Sequence, residues 1–134
     1  MSDSRVAQRG DSLQLQLELP AVVRRGTPVT MVLHVRNGGA RPLDLYLRGR
    51  APTVDVRVED AAGNERWHRL KDRTIAAVIQ ALMLAAGDSF DERVEWAVRD
   101  DAGSPLAPGR YTVRAFLLGE TDAIAAPAVN VRVE

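Results

Sequence analysis

Hydrophobic and polar residues alternate along most of this chain, with an apolar side chain at every second position. Between residues 13 and 19, four leucines alternate with Gln14, Gln16 and Glu18. The same alternation returns in residues 28–36, 43–48, 54–59, 111–117 and 129–133. A period of two places the apolar side chains on one face of a strand, as in a sheet that buries one face. The pattern therefore predicts a set of β-strands that share one core.

Turn-forming residues separate these segments at intervals of about 10 to 15 residues. Asn37-Gly38-Gly39 and residues 60–64, which contain Gly63, are strong turn signals. Short strands at this spacing are typical of an antiparallel sandwich or barrel and not of alternating β and α units. Since no linker or repeat interrupts residues 12–134, we predict one all-β domain there. Residues 1–11 are predicted to be a flexible N-terminal tail.

Residues 74–86 depart from the period of two. Their apolar residues also recur at the spacing of one helix face: Ile75, Val78, Ile79, Leu82 and Ala86. Thr74 could cap the first turn, and the alanines favour a helix. A helical turn that feeds a strand ending before Gly87 fits the same residues equally well. A short helix near residues 74–82 therefore stays open beside that alternative.

A tyrosine two residues after a Pro-Gly pair narrows the choice of fold. Pro108 and Gly109 form the turn, and Tyr111 stands at the start of the strand that follows. In immunoglobulin-like sandwiches a tyrosine at this place turns its hydroxyl back onto the preceding backbone and pins the corner. An ordinary strand tyrosine is the alternative. We predict an immunoglobulin-like antiparallel β-sandwich with Pro108, Gly109 and Tyr111 as a structural corner.

The two tryptophans are predicted to be core anchors. Trp67 lies in a short predicted strand, residues 65–70, and Trp96 ends the one that begins at Ser89. Stacking on a sugar is the functional alternative for both rings. Because aromatic residues make up only 4% of the chain, filling the core is the favoured interpretation.

Composition excludes several classes of function. Eighteen basic residues balance eighteen acidic ones, so neither nucleic acid nor an anionic membrane is expected as a partner. The chain has no cysteine, which excludes disulfides and thiolate chemistry and favours the cytoplasm. No apolar run approaches the roughly 20 residues that cross a bilayer. Residues 1–10 have no signal-peptide core, although a cell-envelope or secreted location stays open if a signal was removed.

Nothing in the sequence predicts an enzyme, a metal site or a cofactor. His34 and His68 lack the short spacing of metal ligands, and surface imidazoles are the favoured interpretation. Ser89 and Ser104 stand outside any Gly-x-Ser-x-Gly nucleophile motif. The acidic residues, densest at Asp100-Asp101 and in residues 88–92, are interpreted as exposed loop carboxylates.

The order of motifs resembles the bacterial intracellular proteinase inhibitor family, typified by the BsuPI inhibitor of Bacillus. The resemblance covers roughly residues 20–118, and it is carried by these segments: residues 25–29 (Arg-Gly-Thr-Pro-Val), residues 54–60, residues 63–67 (Gly-Asn-Glu-Arg-Trp), residues 85–89, Trp96 and residues 106–111. It implies a non-catalytic protein whose partner is another protein, with a subtilisin-type serine protease as the candidate. Val54 and Ala86 replace an aromatic residue and a proline that are usual in the family.

Protease inhibitors commonly present an extended loop to the active-site cleft. Ser104, Pro105, Leu106 and Ala107 form the most substrate-like segment, with prolines on both sides of Leu106, and we predict partner contacts there. Leu106 as a simple core plug is the alternative.

A generic interaction module of the cell envelope or of a larger assembly is the alternative function. Charged residues at strand ends, such as Glu59 and Glu134, discourage edge-to-edge pairing between molecules and so favour a monomer.

Overall fold

Eleven β-strands form the regular structure of residues 12–134, the part of the chain that this computed structural model describes. In chain order they are β1 (Leu13–Glu18), β2 (Val22–Val23), β3 (Val29–Asn37), β4 (Leu43–Arg48), β5 (Val54–Asp60), β6 (Glu65–His68), β7 (Ile79–Leu84), β8 (Ser89–Trp96), β9 (Gly109–Leu118), β10 (Ala123–Ala125) and β11 (Val129–Val133). The predicted tail, residues 1–11, lies outside the described residues.

The strands form two main sheets and one separate pair. The smaller sheet has the order β1-β3-β8, and the larger has the order β2-β11-β9-β5-β6, with β10 added beside β9. All pairs are antiparallel except β2 with β11. β4 and β7 pair only with each other along their length. The fold is an immunoglobulin-like antiparallel β-sandwich, as the alternation predicted.

The core lies between the inward faces of the two sheets. Leu15 of β1, Leu33 of β3, Val56 of β5 and Val113 of β9 are all fully buried. Their neighbours in sequence point outward, which is the consequence of the two-residue period. Burial of these apolar side chains is the main stabilising contribution, at roughly 25 cal/mol for each Å² removed from water.

The short helix near residues 74–82 does not form. Residues 74–78 have no helical turn, and residues 79–84 are β7, which pairs with β4 over all six positions from Leu43↔Leu84 to Arg48↔Ile79. The inward side chains of β7 are Gln80, Leu82 and Leu84, at a period of two. Pairing with β4 therefore overrides the weak helix preference of the alanines.

The β4–β7 pair covers the end of the sandwich at which β3 and β9 finish. The side-chain amide of Asn37, the last residue of β3, donates to the carbonyl of Leu84 at 3.0 Å. Leu47 forms an isolated bridge with Gly119, directly after β9. The β8–β9 connection lies at the opposite end, because β8 runs antiparallel to β3. Nowhere in residues 12–134 does a helix occur that is long and apolar enough to cross a membrane.

Candidate functional site

The loop between β8 and β9, residues 97–108, contains the predicted partner-contacting residues. We call it the β8–β9 loop. Ser104, Pro105 and Ala107 are exposed, whereas Leu106 is only 3% exposed and belongs to the core. The Leu106 N–H donates to the carbonyl of Val98 at 3.2 Å. Leu106 therefore plugs the core, and its side chain is not available to a partner.

The corner residues hold the far end of the β8–β9 loop. The Tyr111 hydroxyl donates to the carbonyl of Ala107 at 2.7 Å, across Pro108 and Gly109. The ring is 7% exposed, and this burial raises the pKa of the Tyr111 phenol. A tyrosine of this kind satisfies a backbone carbonyl and fills the core with the same side chain. The geometry is that of a tyrosine corner.

The tip of the β8–β9 loop is a tight turn organised by Asp100. One carboxylate oxygen of Asp100 accepts hydrogen bonds from the backbone N–H groups of Ala102 and Ser104, at 3.0 and 2.9 Å. Gly103 has a φ of 89°, in the left-handed region that favours glycine. Asp60 organises residues 60–64 with the same bonds, to Ala62 and Asn64. Both turns share the sequence Asp-x-Ala-Gly followed by Asn or Ser.

The side of the β8–β9 loop is bound to β6. The Asp101 N–H donates to the carbonyl of Arg66 at 2.9 Å, and the Asp101 carboxylate accepts from the backbone N–H of His68 at 3.0 Å. The ammonium group of Lys71 lies 3.5 Å from the same carboxylate. Asp101 is exposed, as predicted for a loop acid, whereas Asp100 is half-buried, and both also position the backbone of this loop.

Backbone strain is present at the root of the β8–β9 loop. Val98 has a φ of 56° and is fully buried. A β-branched residue in this region costs about 1–3 kcal/mol. Its carbonyl accepts hydrogen bonds from Leu106 and, at 3.4 Å, from Gly26. The Leu106 carbonyl accepts a further bond from the Arg25 guanidinium at 2.7 Å. Contacts from both sides therefore hold the root in one conformation.

The two tryptophans lie beneath this loop. Trp96 is 1% exposed and Trp67 is half-buried, with ring centroids 6.0 Å apart and planes inclined by 28°. The indole N–H of Trp96 finds no acceptor within residues 12–134. The stacked pair joins β6 to β8, with Trp96 in the core and Trp67 packed against it.

A buried carboxylate that the sequence did not indicate lies beside Trp67. Asp55 of β5 is 5% exposed, and one of its oxygens accepts from the His68 Nε2 at 2.8 Å. Its other oxygen accepts from the backbone N–H of Leu70 at 3.3 Å. His68 is therefore half-buried and paired, and the interpretation of it as a plain surface imidazole is corrected. The contact fixes residues 68–70 against β5.

His34 occupies the outer face of the smaller sheet. Its two ring nitrogens each lie 2.7 Å from a carboxylate, Nε2 from Glu18 and Nδ1 from Asp91. These hydrogen bonds, first that of Glu18 and then that of Asp91, raise the pKa of His34 above 6.5. His34 and His68 belong to different sheets and have separate partners. Within residues 12–134 no three His, Asp or Glu side chains are arranged to hold a metal ion.

A pH titration checks the His34 contact. A raised folded-state pKa means that the contact stabilises the protonated protein, so the stabilisation is fully present below pH 6.5 and is lost as pH rises through the folded pKa. The effect on the free energy of unfolding is small, because the His34 side chain is 37% exposed.

We expect a nuclear magnetic resonance titration to place the pKa of His34 above 6.5. Glu18→Gln should lower the pKa, and Glu95→Gln, on the same face, should not. A wild-type pKa at or below 6.5 would contradict the contact.

Solved structures that resemble this fold include parts of larger enzymes. A β-glucosidase from Erythrobacter marinus matches 92% of the chain at 18% identity with a TM-score of 0.53. A β-glucosidase from Listeria innocua matches 96% at 12% identity with a TM-score of 0.50. The chain spans only 15% and 16% of these enzymes. The CARDB domain of a Pyrococcus furiosus protein matches 96% of the chain and 90% of its own length, at 18% identity and a TM-score of 0.48.

Sequence comparison identifies the family. No curated protein matches the chain. The family model described as BsuPI, intracellular proteinase inhibitor, matches residues 4–121. The match includes both tryptophans, the β8–β9 loop and the tyrosine corner. The chain belongs to the BsuPI intracellular proteinase inhibitor family.

Proposed function

We propose that this protein inhibits a serine protease of the subtilisin type by binding it through residues 104–107 of the β8–β9 loop, and that it catalyses no reaction itself. The observation that carries the proposal is the fixed conformation of an exposed loop. Family membership supports a protease as the partner. The rigid loop supports the choice of this loop as the surface that contacts the protease.

Rigidity favours inhibition because a loop that is already ordered loses little conformational entropy when a partner binds it. The Asp100 turn fixes the tip, the contacts of Asp101 fix one side, and the Tyr111 bond fixes the far end. The exposed residues of segment 104–107 therefore lie on a backbone that is already held in place. Preorganised inhibitors of this kind change their backbone little on binding.

The contacting residues of the proposal are Ser104, Pro105 and Ala107, with Leu106 as their anchor. The first three are exposed on one short segment, and the buried Leu106 side chain holds that segment to the core. The groove beside the tip is lined by Lys71, Arg73, Arg99 and Asp100, so polar contacts would surround the segment. All these groups come from one chain, so each copy of this chain is a complete inhibitory unit in the proposal.

Bulk at Ser104 is expected to weaken inhibition. The test follows hydrolysis of a peptide substrate by subtilisin at increasing concentrations of this protein. Ser104→Arg should raise the apparent inhibition constant at least about tenfold. A steric clash that costs about 1.4 kcal/mol of binding free energy is enough to weaken binding tenfold. Ser104 is exposed, so the substitution should leave the unfolding midpoint unchanged.

Ser89→Arg is the matched control. Ser89 is equally an exposed serine, but it begins β8 at the opposite end of the sandwich. The proposal requires that Ser89→Arg inhibits like the wild type. Equal inhibition by both variants would move the contact away from the β8–β9 loop. No slowing of hydrolysis at a large excess of wild-type protein would refute subtilisin-type inhibition.

A generic interaction module is the second candidate. This candidate is supported by a β-glucosidase in which a part with a similar fold makes up 15% of a larger protein. A contact with a non-protease partner would then serve assembly. Mass spectrometry of proteins that bind the immobilised chain distinguishes the two, since an inhibitor should retain an active protease and a module should retain none.

A further inference from the structure

Strand β7 presents an unprotected sheet edge. One edge of β7 pairs with β4 at all six positions, and no other strand of residues 12–134 pairs with it. Its sequence, Ile-Gln-Ala-Leu-Met-Leu, contains no charge, proline or glycine. Unpaired N–H and C=O groups along such an edge are a template for another strand.

The edge strands of the two main sheets carry the usual protection. β6 includes Glu65 and Arg66, and β8 carries four charged residues between Asp91 and Glu95. β1 ends in Glu18, while β2 and β10 have only two and three residues. Charge and short length both discourage pairing between sheets. β7 has neither, although it is six residues long.

The core is also incompletely covered at this edge. Leu82 faces inward from β7 but stays half-exposed, whereas its partner Leu45 on β4 is fully buried. On the outer face of β7, Ile79 is 44% exposed and Met83 is 66% exposed. Tyr46 of β4 lies opposite Ala81 and is 45% exposed. Apolar surface is therefore available on both faces of the strand and along its edge.

We propose that β7 pairs antiparallel with β7 of a second copy of this chain, so that two sandwiches share one four-stranded β4-β7-β7-β4 sheet. With Ala81 on the two-fold axis, Ile79 of each copy lies opposite Met83 of the other. This register keeps outward residues beside outward residues, as the two-residue period of a strand demands. It also places Leu82 of each copy beside Gln80 of the other, on the side of the core.

Charge permits a second copy as the occupant, and the proposed register sets an apolar residue beside an apolar residue at both ends of the pairing. The six residues of β7 are neutral and the whole chain has no net charge, so two copies approach without repulsion. Asp44 and Arg48 lie on β4, opposite Met83 and Ile79, and form a polar rim around the apolar centre. A two-fold pairing uses the same edge on both chains and therefore stops at a dimer. An edge contact of six residues is small, so the dimer should be of the weak class.

The absence of cysteine makes a crosslinking test clean. Residues opposite each other in antiparallel strands have Cα atoms about 4.5–5.5 Å apart, within reach of a disulfide. Ala81→Cys should therefore form a covalent dimer under mild oxidation. Ala123→Cys, at an exposed alanine of the short edge strand β10, is the matched control and should stay monomeric.

Sedimentation measures the unmodified protein. We expect the wild type to dimerise as its concentration rises, and Ala81→Lys to weaken the dimer at least about tenfold, because two like charges then face each other. Ala123→Lys should leave association unchanged. Circular dichroism must show that both variants fold. A wild type that stays monomeric at millimolar concentration, or a dimer that Ala81→Lys does not weaken, would overturn the proposal.

Discussion

Leu106→Ala is expected to lower the free energy of unfolding by about 2–5 kcal/mol, the usual cost of truncating a buried leucine. The Leu106 side chain is 3% exposed, and its backbone is bound to Val98 and Arg25. The cavity would form where the Leu106 side chain holds the exposed segment 104–107 to the core. The substitution should therefore loosen the loop as well as destabilise the fold, and inhibition should weaken together with stability.

Urea unfolding followed by tryptophan fluorescence measures this loss as a fall in the midpoint at constant slope. Leu106→Met is the control, because a swap that conserves volume in a core usually costs under about 1.5 kcal/mol. If inhibition depends on a supported loop, Leu106→Met should inhibit nearly as well as the wild type. A loss below about 1 kcal/mol for Leu106→Ala would contradict the role of this side chain as an anchor.

Alternation predicted the main strands well because each has one buried and one solvated face. In β1, Leu13, Leu15 and Leu17 face the core while Gln16 and Glu18 are exposed, and the sequence shows that difference directly. Where a strand lacks that contrast, the prediction becomes ambiguous. β7 has apolar residues on both faces, so its period of two was masked. Only the pairing with β4, a contact between distant parts of the chain, decides its structure.

The sequence predicted the local motifs around the candidate site but not the contacts that shape it. The corner around Tyr111 follows from a local motif, whereas the conformation at Leu106 also depends on Arg25, which binds the Leu106 carbonyl from a distant part of the chain. The rigid tip could have been found, since the Asp-x-Ala-Gly turn of residues 60–63 recurs in residues 100–103. The strain at Val98 has no signal in the sequence, because valine rarely adopts a positive φ.

The burial of Asp55 is a property that the alternation does not predict. Its position between Val54 and Val56 predicted an outward side chain, and it does leave the core side of β5. Residues 68–70 then fold over it, so it is buried by a segment that follows β6. The direction of a side chain along a strand is a local property, whereas the burial of an outward side chain depends on distant segments of the chain. The period of two therefore predicts the direction of a side chain but not whether another segment covers it.

Asp55→Ala is expected to cost about 3 kcal/mol of unfolding free energy, because it leaves the His68 imidazole and the Leu70 N–H without their acceptor in a buried position. The Asp55 side chain is 8% exposed and that of His68 is 20% exposed. Water cannot fully replace the carboxylate there. Loss of the contact should also release residues 68–70 from β5, which faster hydrogen exchange at Leu70 would show.

A double-mutant cycle with His68→Ala isolates the contact, and we expect a coupling energy within the range of about 0.5–3 kcal/mol that contacting residues show. The pair His34–Asp91 is the matched control, since it has the same chemistry at 2.7 Å, but its side chains are 37% and 50% exposed. Its coupling should stay below about 1 kcal/mol. Equal coupling energies in the two cycles would contradict the argument, because burial is the property that distinguishes the pairs.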